Sequence, residues 1–236
     1  MKNPRTTLHR DPNTGEPYLR VPSPLDNIII TTPRQTDAAA LANILSQEDV
    51  SRWLAVIPKH YTIRDAENWL KFSIPLANKA LKELEEAGAA FVGTCPFRTI
   101  REVRADGTQI TIGSVAVGRS PFSYLDNAEE ARRLAVLNKS RDVGDPEIIW
   151  ELGDYLSPTH HSRGIMSAVI RTIVHEWIVP FMGGHHVIAT PYIGNAGSVR
   201  VFEKNGFVLE KEIRQEITNA AGIKHVGQSV MRWDKE

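Results

Sequence analysis

The chain has one cysteine, Cys95, in 236 residues, which excludes an intrachain disulfide and a cysteine cluster for zinc. As a lone thiol, Cys95 is either a nucleophile or a small buried hydrophobe. No window approaches the roughly 18 consecutive apolar residues of a membrane span. The opening MKNPRTTLHRDPNTGEPYLRVPSP has no apolar core of a secretory signal, so a soluble cytoplasmic protein is expected. There is no excess of one charge: Lys plus Arg number 28 and Asp plus Glu number 28. A nucleic-acid partner is therefore not expected, because phosphate contacts demand a basic surplus. The Walker A loop, the G-x-G-x-x-G dinucleotide fingerprint and the G-x-S-x-G hydrolase elbow are all missing.

What is present reads as one α/β domain. Residues 1–24 are polar and read as an irregular N-terminal arm, with the domain running over 25–236. Leu25–Thr32 (LDNIIITT) reads as a strand ending at Pro33. Thr36 and Asp37 cap a helix over AAALANIL, and a second short helix lies near Ser46–Leu54. A longer helix starts at Thr62–Asp65 and runs to Gly88, with Pro75 expected to kink or divide it. Ala89–Ile100 and Gln109–Arg119 read as strands, with a hairpin turn at Ala105-Asp106-Gly107. Residues 120–146 are polar and read as an insertion with a short helical patch. Glu147–Leu156 is a strand, followed by a helix from Ser162–Ile165 through SAVIRTIVHEWIVPF. A strand at His186–Thr190, a helix at Asn195–Asn205 and strands at 207–216 and 226–233 complete the order. The βαβα alternation implies parallel neighbours there, and the middle hairpin is antiparallel. A mixed sheet with helices on both faces is expected.

Two segments carry chemistry. In ELGDYLSPTHHSRGIMSAVIRTIV a strand turns tightly into a helix at Gly164. The first turn of a helix leaves about four N–H groups unpaired, and the macrodipole adds positive charge, so phosphate is favoured there. Gly164 lacks a Cβ and lets an anion approach the main chain. In the second segment Asn195 caps a helix, Ser198 and Phe202 share its face, and Gly206 ends it before Phe207.

Together these segments resemble the GNAT superfamily of N-acetyltransferases, and within it the branch of ribosomal-protein N-terminal (Rim-type) acetyltransferases. The likeness rests on LDNIIITTPRQTDAAALANIL, the Ser46–Leu54 stretch, the Glu-Leu-Gly strand, the G-I-M helix start and the N-x-x-S…F-x-K-x-G-F helix, where Lys204 precedes Gly206. It covers roughly 25–233. The superfamily's Q/R-x-x-G-x-G/A loop falls on His161, Gly164 and Met166, with His161 and Met166 departing from the pattern.

The resemblance implies an acetyl-CoA-dependent N-acetyltransferase acting on a primary amine by direct attack, on a sheet splayed at the CoA site. Its implied cofactor residues are Leu156, Ser157, His161, Ser162, Arg163, Gly164, Ile165, Met166, Asn195, Ser198, Phe202 and Lys204. Leu156 and Ser157 would pair through their main chains with the pantetheine arm. Ser198 would be the acid for the leaving thiolate, and Asn195 would hold the pantetheine or the acyl carbonyl. An amine must lose a proton before attack, and Glu151 on the central strand is the candidate base. Asp154 points to the opposite face by strand alternation. His160, His161, His185 and His186 lack metal-ligand spacing, so no metal is expected. The acceptor site is expected at about 46–87 and 217–226, with Trp53, Tyr61, Trp69, Asn219 and Lys224. A non-catalytic acyl-CoA or partner-binding module and a CoA-independent structural domain stand as alternatives, with the chain a monomer or homodimer.

Overall fold

The computed structural model describes residues 8–86 and 91–235. In chain order the strands and helices are β1 (His9–Arg10), β2 (Pro17–Arg20), β3 (Ile28–Thr31), α1 (Ala38–Leu45), α2 (Glu48–Ser51), α3 (Ile63–Glu86), β4 (Thr99–Val103), β5 (Gln109–Arg119), α4 (Ala128–Ser140), β6 (Ile149–Leu156), α5 (Ile165–Ile173), α6 (Val179–Met182), β7 (His186–Ala189), α7 (Ala196–Glu203), β8 (Val208–Ile213), β9 (Ile217–Thr218), β10 (Lys224–His225) and β11 (Gln228–Asp234). Nine strands form one mixed sheet in the order β1-β2-β3-β4-β5-β6-β7-β11-β8. Among the described residues only β6 and β7 run parallel, and every other neighbouring pair is antiparallel.

Residues of β6 alternate between two apolar layers, as the two-residue period of a strand requires. Trp150, Leu152 and Leu156 join the main core with Ile165, Met166, Val169 and Ile170 of α5 and Phe202 of α7. Tyr155 points the other way, into the clusters under α1 and α2. Helices therefore cover both faces. One continuous helical stretch, Ile165–Met182, is apolar and long enough to cross a membrane, and 61% of it is buried in the protein. It contains a five-residue π-helical segment at Val174–Ile178.

Three sequence expectations differ from the fold. The strand expected over Ala89–Ile100 lies instead at Thr99–Val103, and Ala89 and Ala90 are outside the described residues. Residues 91–98 are irregular, and the apolar residues Val92, Cys95, Pro96 and Phe97 are buried without a strand period. Cys95 and Phe97 sit in the main core, and the Val92 amide donates to Phe181 O at 2.7 Å. Hydrophobicity alone reads such a run as a strand. Pro75 does not divide its helix, since α3 passes through it. Pro75 is on the exposed face, where the carbonyl deprived of its partner meets water. Gly88, the expected end of that helix, is outside the described residues. The N-terminal stretch is not an irregular arm where it is described: β1 and β2 form a hairpin that extends the sheet from β3.

The 120–146 insertion is packed rather than loose. Asn127 caps α4 by accepting from the amides of Glu129 and Glu130, both at 3.0 Å. Asn138, on α4 and buried, bonds Ser120 O, Ile149 O and Ile149 N at 3.2, 2.9 and 2.9 Å, locking the helix to the start of β6. Phe122 and Tyr124 of the insertion pack with Ile188 and Val230.

Candidate active site

The parallel pairing of β6 with β7 ends at Leu152–Ala189, while β6 continues four residues further to Leu156. A wedge therefore opens between 153–156 and the chain leaving β7. That chain is held away by β11. Gln228 Nε2 donates to Thr190 O at 3.0 Å, and the Ser229 amide donates to Pro191 O at 2.8 Å. Pro191 itself has no N–H to offer β6. A cleft of about 780 Å³ fills the wedge. Because it passes through the sheet, side chains from both faces line it.

At one mouth is the turn into α5. Gly164 is the N-cap, in the left-handed region with φ +76°, and makes no side-chain cap bond. Nothing lies within 4 Å of a Cβ placed there. The first-turn amides of α5 are thus uncapped and approachable. Ser162 also has positive φ, at 59°, bending the loop around this mouth. Ser162, Gly164, Ile165, Met166 and His161 line the cleft. The His161 Nε2–H donates back to Leu156 O at 2.9 Å, so the ring braces the turn.

Across the wedge, Asn195 caps α7 by accepting from the Ser198 amide at 3.2 Å. Asn195, Ser198, Phe202 and Lys204 all line the cleft, as does Arg200, which the sequence reading did not single out. Two expected residues are placed elsewhere. The Ser157 amide donates to Ile112 O of β5 at 2.7 Å, which turns it away from the wedge. By strand alternation the main-chain groups of Leu156 and Asp154 face the opening instead. Arg163 pairs with Glu102 of β4 at 2.9 Å, and His160 meets the same carboxylate at 3.3 Å. Neither Ser157 nor Arg163 lines the cleft.

Glu151 lines the cleft on the α2 side of the sheet. Its carboxylate accepts from Ser120 Oγ at 2.6 Å and Thr190 Oγ1 at 3.0 Å. Burial raises its pKa, and the two hydroxyls oppose that rise. Asp154 lines the cleft from the opposite face, as alternation requires, and makes no hydrogen bond or ion pair among the described residues. Burial pushes its pKa up to about 6. Gly153 lies between them, open to the cleft, with nothing within 4 Å of an added Cβ.

The far wall joins two segments distant in sequence. Asn219, in the β9–β10 hairpin, donates to Arg52 O and Leu54 O at 3.0 and 3.3 Å, and Ala220 N donates to Ala55 O at 2.9 Å. His225 stacks on Tyr192 at 3.8 Å between centroids, and Trp53 stands 5.7 Å from it. Trp53 and Tyr192 line the cleft. Tyr61 and Trp69 pack beneath α1 instead, and Lys224 pairs with Glu216. Asp49 falls within the 46–87 span expected for the acceptor without having been singled out, and Tyr192 lies outside both expected spans, because only the fold brings it to the wedge. Cys95 is buried, donates to Phe97 O at 3.4 Å and has its pKa pushed up to about 12, so it is no nucleophile.

A family model described as acetyltransferase (GNAT) domain matches residues 27–208. The chain belongs to the GNAT acetyltransferase family. Among solved structures it is similar to ribosomal-protein-S5-alanine acetyltransferase from Vibrio fischeri, at 14% identity and TM-score 0.55, covering 89% of this chain and 94% of that one. It is similar to Mycobacterium smegmatis RimJ in complex with CoA-disulfide, at 16% identity and TM-score 0.54, covering 92% and 85%. YncA from Salmonella typhimurium, a putative acetyltransferase with its cofactor acetyl-CoA, matches at 14% identity and TM-score 0.53, covering 89% and 95%. At such identities the likeness is one of fold. No curated protein matches the chain.

Proposed function

We propose that this GNAT protein transfers an acetyl group from acetyl-CoA to a primary amine within a ternary complex. The observation that carries the reading is the wedge itself, which connects an uncapped helix start on one face of the sheet to a buried carboxylate on the other. The main-chain donors of 162–166 would hold the pyrophosphate, assisted by Arg200 and Lys204. The edge of β6 at Asp154 and Leu156 would pair with the pantetheine, with Asn195 and Phe202 against it. Ser157 and Arg163 take no part in this assignment.

Glu151 accepts the proton that the ammonium must lose. The Ser120 and Thr190 hydroxyls fix its orientation, and its raised pKa brings it closer to neutrality, where a base is most effective. The amine nitrogen then bonds to the acyl carbon, the carbon–sulfur bond breaks, and the Ser198 hydroxyl protonates the thiolate. A main-chain N–H at the β6 edge stabilises the transient oxyanion.

The test is a panel of primary amines incubated with the protein and acetyl-CoA, with free thiol and acetylated product both followed. Stoichiometric product and thiol support transfer. Acetyl-CoA binding without product from any amine leaves a binding module in its place.

A further inference from the structure

Several buried or partly buried carboxylates in this protein meet a cation: Glu16 pairs with Arg34, Asp37 with Arg101 and Glu102 with Arg163. The three carboxylates that line the cleft, exposed Asp49 and partly buried Glu151 and Asp154, make no ion pair among the described residues. They come from unconnected elements, α2 and both faces of β6. The cationic residues of the cleft, Arg200 and Lys204, both sit on or at the end of α7, on the side assigned to the phosphates. The charge of the cleft is thus divided: Arg200 and Lys204 lie along α7, Asp49 and Glu151 lie on the α2 side of β6, and Asp154 lies on the other face of that strand. Uncompensated charge focused in a low-dielectric cleft raises the local concentration of the opposite ion. The same end carries the ring of Trp53, which already draws the Arg52 guanidinium to 5.1 Å from its centroid, and the ring of Tyr192, stacked on one side by His225. The wall bearing them is held as one piece by Asn219.

We infer that the acceptor is a dicationic amine: a primary amine with a second positive charge a few atoms away. This rests on the proposed transfer reaction. Glu151 receives the proton of the reacting amine, and Asp49 with the aromatic wall holds the second charge. Such an acceptor is either a free diamine or a short peptide with a basic residue after its N-terminal amine, and both present the same chemistry.

The test compares matched pairs as acceptors with acetyl-CoA: 1,5-diaminopentane against 5-amino-1-pentanol, and Ala-Lys-amide against Ala-Leu-amide. We expect the dicationic member of at least one pair to show tenfold or greater advantage in kcat/KM, and the pair that shows it identifies the source. The advantage should shrink severalfold between 0.05 and 0.5 M NaCl, roughly as screening requires. Asp49→Asn should reduce the ratio within the pair, and a thermal melt confirms that the variant is folded. Acetylation of both members at equal rates overturns the dicationic class and leaves the transfer reaction standing. A salt-independent preference, or one unmoved by Asp49→Asn and Trp53→Leu alike, overturns the assignment of the second charge. Absence of acetylated product from any amine, with acetyl-CoA bound, removes the transfer reading and this inference with it.

Discussion

Two carboxylates three residues apart on one strand have different environments, and those environments set different tasks. Glu151 is partly buried and receives two hydroxyl donors. Asp154 is partly buried and receives none among the described residues. Its pKa, about 6 against 3.8 in the unfolded chain, means that the folded state holds the proton more tightly. Stability from this group is therefore full at low pH and declines as pH rises from about 4 through 6. Asp154→Asn should stabilise the protein at pH 8 by at most about 3 kcal/mol and change little at pH 4. Thermal melts at the two pH values decide this, and equal shifts would contradict it. For Glu151 the sign concerns rate. A base must be ionised, so kcat/KM should fall on acidification at a pH above that of an ordinary carboxylate, and Glu151→Gln should abolish that limb. Ser198→Ala should lower kcat by roughly ten- to a thousandfold while acetyl-CoA affinity changes little. An unchanged kcat would remove Ser198 from the acid role. Gly113 is a purely structural residue, because a Cβ there would stand 2.4 Å from Tyr155 O. Gly113→Ala should cost about 1–3 kcal/mol, read from denaturant unfolding.

At the scale of elements, the site depends on what holds β6 and β7 apart and on what fastens the helices around them. The buried Arg101–Asp37 pair does the second. The guanidinium of β4 meets both carboxylate oxygens just before α1, at 2.8 and 2.9 Å, with Thr31 and Thr111 also bonded. Arg101→Met leaves Asp37 buried without its cation and should cost about 3–5 kcal/mol in a denaturant melt. A loss under 1 kcal/mol would show the pair to be solvated. Legibility in the sequence divides along the same elements. The α5 start and both ends of α7 were readable because Gly164, Asn195 and Gly206 are local signals, and local signals survive into the fold. The position of β4 was not, since Val92, Cys95 and Phe97 are buried in an irregular segment whose apolar residues carry no strand period. The β1–β2 hairpin was also hidden, because its short polar strands gain order from pairing with β3 rather than from their own pattern.

At the scale of the molecule, the insertion and the C-terminal hairpin complete a site that neither motif segment forms alone. Ser120, where the insertion begins, orients Glu151, and Asn219 draws the β9–β10 hairpin onto the α2 loop from 165 or more residues away. No spacing rule connects such residues, which explains why Tyr192 was not singled out and Asp49 was covered only by a broad span, while Asn195 and Ser198 were named. The wedge between β6 and β7 is the proposed seat of acetyl-CoA. Calorimetric titration of acetyl-CoA into the protein tests this most directly. Saturable one-to-one binding with a Kd of roughly 1–100 μM is expected. No measurable heat and no thermal stabilisation at millimolar acetyl-CoA would contradict it.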